Sequence, residues 1–170
     1  FSKKHKLKIA KIEDLISYRL KNEKLIKILS SKKIHIKKFG NFNLKIFKNK
    51  LDGLEHYAIT NEKFSYKRIP RIRVISTNIL NTFFSFNKDI FKSSLKYLNK
   101  FNNFALILIK GSNQTKNLSE NSSVLRYYGV GAQIIKELKV KNMVLVSRSK
   151  KRIIALKGYG IKIKKQEIIK

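Results

Sequence analysis

Gly129-Val130-Gly131-Ala132 is the stretch whose spacing comes nearest to a chemical signature. A Gly-x-Gly turn can cradle phosphate, but the dinucleotide-binding form must directly follow a strand, and this one does not. The glycines and Ala132 are therefore expected to let a helix approach a sheet closely. "GYG" at 158–160 reads as a second turn without chemistry. Metal chemistry has little to work with. The chain has no cysteine, which rules out disulfides and thiolate metal cages. A tetrahedral site would have to use histidine and carboxylate. His5, His35 and His56 are scattered, and no ligand spacing joins them. What remains is cationic chemistry. Lys and Arg number 40 against 10 Asp and Glu, a formal net charge of +30. Such a charge suits a polyanion: RNA, DNA or an anionic membrane surface.

The distribution of charge argues against that last reading. The lysines run through every segment instead of forming a tail or a stripe. Lys, Asn, Ile and Phe are abundant, whereas there are only 7 Gly and 1 Pro, the set that AT-rich codons encode. Zinc-finger, helix-turn-helix and RNA-recognition aromatic motifs are not evident. Phe83, Phe84 and Phe86 are expected to pack in a core or loop instead of stacking on bases. A basic nucleic-acid-binding module is therefore the third reading.

The elements that must position any site follow from periodicity. At 170 residues with 42% apolar composition, the chain can bury a core. Apolar residues at Ile12, Leu15, Ile16, Leu20, Leu25 and Ile26 predict a helix over 11–29, with Glu13 and Asp14 in its first turn opposing the dipole. From Ile34 the period becomes two, and "FNLKIFKNKLDGLEHYAIT" predicts two strands joined near Asp52-Gly53. "RIRVIST" after Pro70 predicts another strand. A helix is expected over 87–101 with Asn87 as its N-cap, then a buried strand "FALILI" at 104–109. A polar loop is expected at 111–123, then a tight glycine turn, a short helix near 131–138 and a strand at 142–146. A short helix near 149–156 and a last strand "IKIKKQEI" complete the order, which implies a mixed α/β sheet. No internal repeat is evident. The longest apolar run, "FALILI", is far below the ~20 residues of a membrane span. No signal peptide is visible, and the start at Phe1 instead of Met suggests a piece of a longer protein.

These segments carry a family resemblance. "FGNFNLKIFKNKLDGLEHYAIT", "PRIRVIST" and "RYYGVGAQIIKELKVKNMVLVS…KGYGIKI" resemble GTP cyclohydrolase II domains over about 39–165. "FSKKHKLKIAKIEDLISYR" resembles the C-terminal end of 3,4-dihydroxy-2-butanone-4-phosphate synthase, which is fused upstream of such a domain in many bacteria. The resemblance implies residues 1–30 as the synthase tail and 31–170 as a GTP cyclohydrolase II-like domain. It implies a mixed α+β fold: a mixed sheet with flanking helices, plus an N-terminal helix from the preceding domain. The setting it implies is riboflavin biosynthesis in the bacterial cytoplasm.

The resemblance also implies a site and marks its erosion. Family members hold a catalytic zinc on three cysteines. The corresponding positions here are Asn78 and residues near Asp89 and Phe91. The family's catalytic Asp-x-Arg pair falls on Val124 and Arg126, so the arginine is kept and the general base is not. "KGSNQTKNLSE" lacks the family's Glu-Gly-Arg tripeptide and is shorter. Arg73, Ser76, Ser147 and Lys151 fall on nucleotide- and phosphate-contacting positions. No metal or cofactor is expected in this segment. Magnesium is expected for the upstream synthase, whose lyase chemistry lies before Phe1. Expected partners are a second copy, through the synthase and this domain, and other pathway enzymes; no specific nucleic acid and no membrane are expected. The leading reading is a catalytically inactive, structural or regulatory domain. The alternative is an active GTP cyclohydrolase II releasing formate from GTP.

Overall fold

The computed structural model describes residues 1–10, 18, 22–77, 86–111, 120–150, 156 and 159–169, with the backbone alone at 77, 86–89 and 120–128. Seven strands form one sheet: β1 (Ile26–Ile36), β2 (Gly40–Asn49), β3 (Glu55–Asn61), β4 (Arg71–Thr77), β5 (Phe104–Lys110), β6 (Asn142–Ser147) and β7 (Lys162–Ile168). Two helices are described, α1 (Phe86–Leu98) and α2 (Glu120–Glu137). The spatial order is β1-β2-β3-β5-β4-β6-β7. β1, β2, β3 and β5 pair antiparallel, and β5, β4, β6 and β7 run parallel. This is the mixed sheet with flanking helices that the element order implies.

Turn chemistry sets the β2–β3 hairpin. Asn49 Oδ1 accepts from the Leu51 amide at 3.0 Å and Asp52 Oδ1 from the Leu54 amide at 3.0 Å. Gly53 takes φ +68°, where a side chain is strained. The expected turn at Asp52-Gly53 therefore holds. β5 shows why an unbroken apolar run suits this sheet. Ala105, Ile107 and Ile109 face α2, in a core with Ile72, Ile134 and Leu145. Phe104 and Leu106 face α1, in a second core with Leu95, Leu98 and Val146. Both faces of β5 are covered, so alternation disappears from its sequence.

Several expectations change. β1 begins at Ile26, so residues 26–29 are strand and not the end of a helix. Ile26 and Ile28 also stand on either side of Lys27, and pairing with Asn49 and Phe47 decides for the strand. Of the rest of the expected 11–29 helix, Tyr18 and Asn22 are helical, with Asn22 Nδ2 donating to the Tyr18 carbonyl at 2.9 Å, and 23–25 are not helical; residues 11–17 and 19–21 lie outside the described residues. Glu120–Ser123 form the first turn of α2 instead of the end of a loop. Gly129 and Gly131 lie inside α2, not in a tight turn. Tertiary packing outweighs their poor helix propensity. A Cβ at Gly131 would stand 3.1 Å from Ile109 Cδ1 and 3.6 Å from Val74 Cγ1. The close helix–sheet approach expected of this glycine is thus present. Asn87 is the second residue of α1, not the residue before it.

Two polar ties fasten the layers. Gln133, buried on α2, accepts from the Leu25 amide at 3.0 Å and donates to the Glu23 carbonyl at 2.9 Å. Lys24 pairs with Glu137 at 3.0 Å. The chain entering the sheet is therefore held to α2. On the other face, Arg71 Nε and Nη2 donate to Glu167 at 2.9 and 3.2 Å, Tyr97 Oη donates to Glu167 at 3.0 Å, and the Arg71 guanidinium lies 3.5 Å from the Phe101 ring centroid. Burial alone would raise the Glu167 pKa. The hydrogen bonds from Arg71 and Tyr97, with the Arg71 and Lys165 charges, outweigh it and hold the carboxyl below its ordinary value. A depressed carboxylate stabilises fully above its unfolded-state pKa, near 4.5, and loses that contribution as pH falls through the folded-state value. Glu167→Gln is expected to cost about 1–3 kcal/mol at neutral pH. Urea titrations across pH should show that cost shrinking below the ordinary carboxylate pKa.

Candidate functional site at the carboxyl edge of the parallel strands

β4, β5, β6 and β7 end together at one edge, at Thr77, Lys110, Ser147 and Ile168. The chain leaves β4 toward α1 on one face and β5 toward α2 on the other. Neighbouring strands whose connections part to opposite faces open a crevice, and ligands of open α/β sheets bind there. In this protein it lies where Ser76 and Thr77 stand in register with Ile109 and Lys110.

Strand alternation distributes the expected site residues. Ile72 packs on the α2 face, so Arg73 points to the α1 face and Ser76 back toward α2. Arg73 and Ser76 therefore do not share a face. Ser76 is exposed and Arg73 is buried. Arg73 stands in register between Leu106 and Val146, both in the α1-side core. Its Nε has no hydrogen-bond partner among the described residues. Burial, then the charge of Arg148, lowers its pKa from the ordinary guanidinium value. Val124 and Arg126 lie in the first half of α2, on the same side of the sheet as Ser76; their side chains are outside the described residues. Ser147 ends β6, and its Oγ donates to the Ser149 carbonyl at 2.7 Å, a local turn contact. Lys151 and Asn78 lie outside the described residues.

The zinc position can be tested on its donors. Phe91 is half-buried and packs against the α1-side core. Among the described residues no three His, Asp or Glu side chains come together as a metal would need. With no cysteine in the chain the family's three-thiolate donor set is absent; Asn78 and the Asp89 side chain lie outside the described residues.

One polar group beside the crevice is a histidine that the sequence places in the hairpin without giving it a partner. His56 on β3 is buried and its Nδ1 accepts from the Lys110 amide at 3.2 Å. That bond leaves the proton on Nε2, which has no partner among the described residues. Burial lowers the His56 pKa, with the Lys110 charge adding to the effect and Asp52 opposing it. The imidazole is thus held neutral at the end of β5. Its place in a half-buried hairpin was legible; its partner, 54 residues away, was not.

Comparison with known proteins agrees with the fold. Residues 92–168 match the family GTP cyclohydrolase II. The chain is 30% identical over 197 aligned positions to the riboflavin biosynthesis protein RibBA of Aquifex aeolicus, covering 100% of this chain and 48% of that protein. It is 28% identical to a 3,4-dihydroxy-2-butanone 4-phosphate synthase of Photobacterium phosphoreum, covering 96% of this chain and 49% of that one. Among solved structures, RibBX of A. baumannii, a two-domain 3,4-dihydroxy-2-butanone 4-phosphate synthase, superposes with TM-score 0.65 at 28% identity over 100% of this chain and 47% of that one. The chain spans about half the length of these relatives. Sequence match, relatives and shared fold together show a GTP cyclohydrolase II-like chain that is similar, along its whole length, to about half of fused riboflavin-biosynthesis proteins.

Proposed function

We propose that this chain is the cyclohydrolase-like part of a riboflavin-biosynthesis protein, that it follows a 3,4-dihydroxy-2-butanone-4-phosphate synthase, and that it acts as a structural or regulatory domain without opening GTP. The observation that carries this reading is the complete absence of cysteine from a fold whose hydrolysis depends on a cysteine-held zinc. The apolar packing of Phe91 at one of those positions supports it. So does the alignment of the chain's 170 residues over 197 positions, which leaves the Aquifex relative with stretches this chain lacks.

A structural role also has a physical basis in the entry strand. Gln133 and Glu137 fix residues 23–25 to α2, so the orientation of whatever precedes them is constrained. The reading brings with it magnesium at the upstream synthase, a homodimer built through both parts, contacts with other pathway enzymes and a bacterial cytoplasmic setting. No helix among the described residues is long and apolar enough to cross a membrane.

The test is metal analysis of the purified chain after incubation with zinc and desalting. Well under one zinc per chain is expected. About one tightly held zinc per chain, as a catalytic site requires, would overturn the reading.

A further inference from the structure

At the opposite edge, where the parallel strands begin, a groove of about 630 Å³ opens between the segment before β4, the end of α2 and the turn before β7. Its size is that of a small-molecule site. Lys67, Arg68, Lys136, Lys139 and Lys141 line it, and among the described residues no carboxylate does. None of the five takes part in an ion pair among the described residues. Glu137, beside Lys136, is turned away to Lys24 at 3.0 Å. Five cations around one concavity exceed what a single phosphate would neutralise, so the complementary occupant carries several phosphates.

Three details favour a built site over a chance cluster in a basic protein. Lys139 holds φ +61°, a conformation that glycine adopts freely after a helix and lysine does not. Its ammonium stands 5.7 Å from the ring centroid of Tyr66, which forms an exposed aromatic wall. Tyr159 lines the groove and is anchored in the core behind it, which gives the concavity a fixed floor. The negative end of the α2 dipole points here and would repel an anion. That repulsion is reduced because the Leu138, Lys139 and Val140 amides take up carbonyls of the last turn at 3.0, 2.8 and 3.2 Å.

We infer that this amino-edge groove binds a small polyphosphorylated ligand, at a place separate from the carboxyl-edge crevice. The ligand's phosphates face the lysines, and a planar ring, where the ligand has one, lies against Tyr66. The inference does not depend on whether the crevice opens GTP.

The test is calorimetric titration of the 170-residue chain with inorganic tripolyphosphate and, separately, with ATP. Lys139→Gly with Lys141→Gln removes two groove charges; the glycine suits the left-handed position, so folding should improve, not suffer. Lys32→Gln with Lys33→Gln removes the same charge from exposed β1. The groove pair is expected to weaken binding roughly tenfold or more, and the β1 pair less than about twofold. ATP binding tighter than tripolyphosphate, with the gain lost in Tyr66→Ala, identifies a nucleotide. Equal affinities identify recognition of the phosphate chain alone. Either result supports the site, as do ligand-induced amide shifts at Lys139, Asn142 and Gly160. Equal weakening by both lysine pairs, no saturable binding of either probe, or shifts confined to Ser76 and Ser147 would overturn it.

Discussion

Incubated with GTP and zinc or magnesium, the chain is expected to release no formate above the blank, and Val124→Asp is expected to change nothing. Ring opening by hydrolysis needs an activated water. A catalytic zinc supplies one by lowering the water pKa from about 15.7 toward 7, and the chain has no thiolate to hold such a metal. A positioned general base contributes roughly 10²–10⁴-fold beyond that, and Val124 has no titratable group. Restoring a carboxylate there gives it no metal-bound water to act on, because contributions from parts that act as a unit are far from additive. Arg126, even in place on α2, meets the same obstacle. The assay should run beside an intact cyclohydrolase II. Zinc-dependent formate release by the unmodified chain, lost on Arg126→Ala, would show that another ligand set had replaced the cysteines.

The parts of this molecule that were legible in its sequence are those where local pattern and tertiary demand agree. "FALILI" is apolar without alternation because α1 and α2 cover both faces of β5. Asp52-Gly53 is a turn in any context. Conflict appears where one residue type serves two purposes. Gly129 and Gly131 look like a turn locally, yet both lie inside α2, and a Cβ at Gly131 would stand only 3.1 Å from Ile109 Cδ1. Ile26 and Ile28 fit a helix or a strand until Phe47 is known to lie opposite. At the site, the opposite facing of Arg73 and Ser76 could be read from their spacing of three in a strand. The Arg71–Glu167 pair could not, since 96 residues separate its members. A single acidic residue in the lysine-rich last strand was the available hint.

Replacing Arg73 by methionine is expected to make the protein more stable, by about 1–3 kcal/mol. A guanidinium removed from water needs compensating acceptors. Arg73 is 4% exposed, Leu106 and Val146 flank it in register, its Nε is unpartnered, and no carboxylate pairs with it among the described residues. The charge that acts on it, Arg148, has the same sign. Methionine has a similar reach and suits the α1-side core without a charge to solvate. The contrast with Arg71, two residues earlier on the same strand face, is informative. Arg71 has Glu167, Tyr97 and Phe101 around it, so Arg71→Met should destabilise where Arg73→Met stabilises. Urea unfolding of both variants reads the two signs in one experiment, with unchanged slopes confirming that only stability has moved. A buried cation that weakens its own fold would be held there for something other than stability, as groups that serve charged ligands commonly are. If Arg73→Met instead costs as much as Arg71→Met, the guanidinium is fully compensated in the fold, and its burial is structural and not the remnant of a binding site.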